Sequence, residues 1–174
     1  MASQEFEVAA GKELKRVVDA MRKVDSKAPA KIRSKMRAVA RQGAKVVKPK
    51  ARNLPSKGVK GGTTKRPHKR KQTRRAIAAG VKVQASTGGR KGVGLRIVTS
   101  MPTRAQAFLP RAFDVVDEWS HPVFKTKEFP NRTAKQRGGF DWFVRPLGEM
   151  RPEFQAGMTQ ILDEAREEIR RAGG

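Results

Sequence analysis

The 174-residue sequence predicts a single α+β domain over residues 1–174, with N-terminal helices, a central antiparallel β-hairpin or small sheet, and a long C-terminal amphipathic helix. Three observations predict it. Apolar residues recur at helical spacing near both ends, two alternating runs flank a glycine-rich turn in the middle, and a chain of this length supports one core rather than two.

Taken in order, Lys12 to Val24 place Leu14, Val17, Val18, Met21 and Val24 on one helical face, with Lys15, Arg16, Arg22 and Lys23 opposite. A first helix follows. Asp25 and Ser26 are capping candidates, and Pro29 suits a first helical turn. The stripe Ile32, Met36, Val39, Gly43 and Val46 or Val47 predicts a second helix from about residue 29 to 48. Pro49 is expected to kink or end it, since proline lacks the backbone donor and crowds the preceding turn.

Residues 49–75 lose periodicity and consist largely of Lys, Arg, Gly, Pro and Thr, which predicts a basic arm or long loop. A brief helical signal appears around Arg74 to Ala79. Val81, Val83 and Ala85 then alternate with polar residues, as do Val93, Leu95 and Ile97, and Thr87 to Lys91 form a turn between the two strands. Residues 103–113 suggest a short helix interrupted at Pro110. Residues 119–144 form an aromatic, Pro- and Gly-rich loop region with strand character, packing through its rings. Phe154, Met158, Ile161, Leu162, Ala165 and Ile169 mark the terminal helix, whose other face carries Asp163, Glu164, Glu167 and Glu168.

Charge is distributed unevenly. The net charge is +24, and no Asp or Glu occurs between Asp25 and Asp114, an interval that holds 25 Lys and Arg. The rest of the chain carries 15 basic and 16 acidic side chains and is close to neutral. A single-sign block of this size repels itself unless a polyanion or an acidic partner neutralises it. With 37% apolar and 6% aromatic residues, the core is lean, and partners are expected to help order the chain.

The same residues point away from several kinds of chemistry. Without cysteine there are no disulfides and no thiolate ligands, in keeping with synthesis in a reducing compartment. His68 and His121 lack ligand spacing, so no metal is expected. The adjacency of Ser120 and His121 has no orienting carboxylate to make a triad, and the stretches Gly58 to Lys65 and Gly88 to Gly94 lack P-loop spacing. Asn131-Arg132-Thr133 is a glycosylation triplet in a chain with no secretion signal at its N-terminus, and no apolar run is long enough for a membrane span. No enzyme and no cofactor are expected.

The basic cluster Lys65, Arg66, Lys69, Arg70 and Lys71, followed by Arg74 and Arg75, is the candidate contact for DNA without sequence specificity or for an acidic partner. Beyond these residues, the order of elements carries a resemblance. Arg74 to Ala78 leading into the hairpin, Met101 to Pro110, Trp119-Ser120-His121-Pro122-Val123-Phe124, the passage Asp141 to Pro146 and a terminal helix resemble siphophage neck or tail-completion (head-tail connector) proteins, especially of actinobacteriophages. The resemblance is best over residues 74–171, and the His-Pro-Val-Phe tetrapeptide is its most specific part. Lys125-Thr126 stand where a glycine and an asparagine often follow in such proteins.

The resemblance implies a non-catalytic homo-oligomer, a hexameric ring in the virion neck or proximal tail. Its neighbours would be head connector or portal-side proteins and tail-tube or terminator proteins, with no membrane partner. It makes Trp119, His121, Pro122, Phe124, Trp142 and Phe143 candidates for the assembly interface. The alternatives are a tail terminator, or a non-viral histone-like or ribosomal-type nucleic-acid-binding protein.

Overall fold

The computed structural model describes residues 4–9, 11–55, 68–88, 92–103, 106–122 and 133–173, and shows an α+β fold. Strand β1 (Glu5–Ala9) leads into helices α1 (Gly11–Val24), α2 (Ala28–Arg52) and α3 (His68–Gly80). The hairpin β2 (Val81–Thr87) and β3 (Val93–Thr99) follows, then α4 (Leu109–Val115), strands β4 (Glu118–Pro122) and β5 (Thr133–Arg137), and helices α5 (Val144–Glu149) and α6 (Arg151–Gly173).

β3 is the centre of an antiparallel sheet in the order β1-β3-β2, and β4 pairs with β5 in a separate two-stranded sheet. Register explains the sheet's two faces, because side chains alternate along each strand. Val8 pairs with Leu95, which also faces Ala85, and Phe6 pairs with Ile97, which also faces Val83; this set points to the core. The set one residue out of phase, Glu5 and Glu7 beside Arg96, with Lys82 and Gln84 on the far strand, lies on the opposite face. Arg96 ties the strands there, with its guanidinium 3.2 Å from Glu5 and 2.9 Å from Glu7.

Helices α1, α2 and α6 cover the apolar face. Leu14, Val18 and Met21 of α1, Ile32, Met36, Ala40 and Val47 of α2, and Phe154, Met158, Ile161 and Ala165 of α6 are all buried. These helices meet the sheet tightly at Gly43, where a Cβ would sit 2.6 Å from Phe154, 2.7 Å from Ile97 and 2.8 Å from Leu147. Only a residue without a side chain lets α2, β3, α5 and α6 converge there. Phe6 completes the junction, its ring 5.9 Å from that of Phe154.

Four expectations change. Pro49 does not end the second helix, which runs on to Arg52. The proline itself is exposed, so the Lys45 carbonyl that loses its donor faces water, while Val47, Ala51 and Leu54 on the inner side are buried at 0%, 0% and 2% exposure. Burying a Val and a Leu yields about 1.5–3 kcal/mol each, which offsets the roughly 3 kcal/mol cost of an internal proline. The arm expected over 49–75 is correspondingly shorter. Residues 49–52 belong to α2 and 68–75 to α3, and 56–67 lie outside the described residues.

Pro110 does not interrupt a helix but stands in the first turn of α4, where its missing N–H has no partner to lose. Strand β1 was not foreseen, although Glu5-Phe6-Glu7-Val8 alternates with period two.

Candidate polyanion-contact surface

α2 contains nine Lys and Arg and no Asp or Glu. Its inner face is set by Ile32, Met36, Ala40, Gly43, Ala44, Val47 and Ala51, and that fixes where the charges go. Arg37, Arg41 and Lys45 follow one another at i, i+4, and Lys48 and Arg52 continue the row, so all five share the outer side of the helix. Arg37, Arg41, Lys45 and Arg52 are exposed, and Lys48 is half-buried. From Arg37 to Arg52 the row spans about 22 Å at about 1.5 Å per residue.

Most acids of the described residues pair with other groups. Lys31 bonds Asp25 at 3.0 Å and Lys35 bonds Glu164 at 2.8 Å, both at the edges of α2. Arg166 contacts Asp163 and Glu13, Arg170 contacts Glu167, and Arg145 lies between Asp141 and Glu149. None of the five residues in the α2 row has an acidic partner among the described residues.

Part of the expected cluster lies on the neighbouring helix. α3 packs against α2 and carries Lys69, Arg70, Lys71, Arg74 and Arg75 along its backbone. Arg75 is exposed and Arg74 half-buried. Lys65 and Arg66 lie outside the described residues. The regular row on α2 was not among the expected contact residues. Its signal was present in the i, i+4 spacing from Arg37 to Lys45, on a side of the helix next to the stripe that marks the core.

The aromatic candidates divide. Trp119, His121 and Pro122 stand on β4, opposite Gln136, Ala134 and Thr133 in register, and Phe124 lies outside the described residues. Trp142 and Phe143 are not surface residues: their exposures are 2% and 0%. Their rings lie 5.3 Å apart at 54°, and the Trp142 indole N–H donates to the Pro110 carbonyl at 3.2 Å. Both are spent on the core, because the chain turns inward between Gly139 and α5, and neither is free to serve an assembly interface in this conformation.

Two polar groupings bear on chemistry. An open groove of about 800 Å3 beside α6 is lined by Lys35, Gln160, Asp163, Glu164, Glu167 and Glu168. The Lys35 ammonium, then the Gln160 amide, hold the Glu164 carboxyl below its usual range, so it stays ionised and paired and is a poor proton donor. The second grouping is Asp114, fully buried, which accepts the backbone N–H groups of Phe143 at 2.7 Å and Val144 at 3.2 Å as well as the Gln4 amide. Its oxygens are committed to holding the start of α5.

Among the described residues no group of three or more His, Asp or Glu converges as metal ligands, and no helix is long and apolar enough to cross a membrane. Comparison with protein-family models, with curated proteins and with solved structures finds no match to the chain.

Proposed function

We propose that the chain is a non-catalytic structural subunit of a phage neck, of the tail-completion type. It joins head to tail as a ring between the head connector and the tail tube, and its basic half meets DNA or acidic neighbouring subunits. The observation that carries the charge part of this reading is the α2 row of cations with no acidic partner among the described residues, on a fold in which most described carboxylates pair with other groups or are buried.

The order of elements around Trp119 to Phe124 and Asp141 to Pro146 supports the neck placement through its resemblance to such proteins. So does the sheet, in which β1 and β2 are both edge strands. Edge strands present unpaired backbone groups that a neighbouring subunit in a ring can cover.

Particles made without the protein test the placement. Heads and tails that fail to join stably are expected, with about six copies, or a small multiple, in complete particles. Infectious particles of normal form without the protein overturn it. A second reading, a sequence-nonspecific nucleic-acid-binding protein of histone-like or ribosomal type, is favoured by the same α2 row. It predicts a pool bound to nucleoid or ribosome in place of a fixed copy number in particles.

A further inference from the structure

From the geometry we infer that the outer face of α2 is the contact for the sugar-phosphate backbone of duplex DNA, with Arg37, Arg41, Lys45, Lys48 and Arg52 as the phosphate-binding residues. The inference rests on the polyanion part of the reading above. It is independent of where in a particle the protein sits.

Three features favour duplex DNA over an acidic protein surface. First, the face lacks the anchors of a protein interface. Such interfaces have centres enriched in aromatic and large aliphatic side chains and depleted of charge. Here the outer row is cationic throughout, and Val46, at 37% exposure, is the one large apolar side chain of α2 that is exposed.

Second, the charges are regular. Successive cations at i, i+4 rise about 6 Å along a helix that is continuous over the whole row. A duplex presents one negative charge per about 1.7 Å of axis, so a cationic row of this length has phosphates within reach along it. An acidic protein patch has no comparable repeat.

Third, depth limits what the row can read. The inner half of α2 is buried against the sheet, α1, α3, α5 and α6, so only its outer side is open to a partner. Only long side chains on one side touch the partner. Phosphates are then contacted and sequence is not read.

The test uses the full chain and a short mixed-sequence DNA duplex, with binding followed across a salt series. Replacing Arg37→Gln, Arg41→Gln and Lys45→Gln together is expected to weaken binding on the order of 100-fold and to lower the log-log salt slope by roughly 2 to 3, about 0.9 for each phosphate that is no longer neutralised. Glutamine is a good helix former, so the melting curve should hardly move. Should the triple variant melt early, Arg41→Gln and Lys45→Gln singly are expected to lower the slope by about 1 each.

A control triple on α1, Lys12→Gln, Lys15→Gln and Arg16→Gln, removes equal charge and is expected to leave duplex binding within a few-fold. Equal weakening in the control overturns the assignment, since net charge alone would then account for binding. Replacing Lys65, Arg66, Lys69, Arg70 and Lys71 with Gln should reduce affinity while leaving the α2 share of the slope. Loss of all binding there, with the α2 triple unaffected, overturns it as well.

Polyglutamate provides the last arm. If the chain binds polyglutamate through the α2 row and does not bind the duplex, the face belongs to an acidic protein and the inference fails. Joined, infectious particles lacking the protein would remove the neck placement and leave this inference standing.

Discussion

Asp114 in α4 accepts the backbone N–H of Phe143 at 2.7 Å, 29 positions along the chain, and so caps a helix other than its own. The same carboxylate takes the Val144 N–H and the Gln4 amide, which ties the segment entering β1, α4 and the start of α5 to one buried side chain. Replacing Asp114→Ala strips partners from buried donors, and a loss of about 3 kcal/mol is expected, against about 1–2 kcal/mol for Asp114→Asn, which keeps one acceptor oxygen. Urea unfolding midpoints measure both; an alanine variant within about 0.5 kcal/mol of the parent would show that the cap contributes little.

Gly43 is expected to resist substitution although it lies within a helix. An alanine there gains about 1 kcal/mol of helix propensity but drives its methyl into Phe154, Ile97 and Leu147 at once. Overpacking costs about 1–3 kcal/mol, so a net loss of about 1 kcal/mol is expected by thermal or chemical unfolding. The double variant Gly43→Ala with Phe154→Leu should recover part of it. A Gly43→Ala chain more stable than the parent contradicts this packing.

Trp142 and Phe143 separate core from interface. Trp142→Ala is expected to destabilise the isolated chain by about 3–5 kcal/mol, measured far from any assembly partner. An unchanged melt combined with failed assembly would instead return this residue to an interface role.

The turn between α1 and α2 should respond to acid. The Lys27 backbone N–H and the Lys31 ammonium both bond Asp25, in that order of effect, and hold its carboxyl below its ordinary value of 3.8. A lowered folded pKa stabilises the protein above the unfolded value, and this is lost as pH falls through the folded one. The same contact raises Lys31 above 10.5, so its share persists at lower pH and fades as pH rises past that raised value. The stability difference between the parent and Asp25→Asn is therefore expected to be flat across neutral pH and to shrink below about pH 4. Both groups are exposed, so the effect is small; a difference that grows towards acid would reverse the assignment.

Elements whose signal is local were the ones legible in the sequence. α1 and α6 expose one polar and one apolar stripe, and Val81 to Ile97 alternates around glycines, so periodicity alone recovers them. β1 was lost because five residues give few repeats and its partner strand lies some 90 residues away. Pro49 misled because a local rule about one missing donor competes with the burial of Val47, Ala51 and Leu54, which no local rule sees. Trp142 and Phe143 were misplaced for a related reason: an aromatic residue wants burial, and composition cannot say whether its own core or a neighbour supplies it.

For the candidate surface, the charge block between Asp25 and Asp114 was plain, and part of the expected cluster falls on α3, which packs against α2. The α2 row was hidden because attention to the apolar stripe of a helix discards the other side. The pairing of Lys35 with Glu164 depends on elements more than a hundred residues apart and cannot be read from spacing.

The meeting of Phe6, Gly43, Ile97 and Phe154 also sets an order of events at the ribosome. β1 is the first of these strands to emerge, yet it has no partner until residues 94–98 follow it, and α6, which seals Phe6 and Gly43, leaves the tunnel after every other element of the fold. Through most of its synthesis the nascent chain therefore carries an uncovered apolar surface under a run of positive charge. Its own ribosome, rich in phosphate, is the first polyanion within reach of that run.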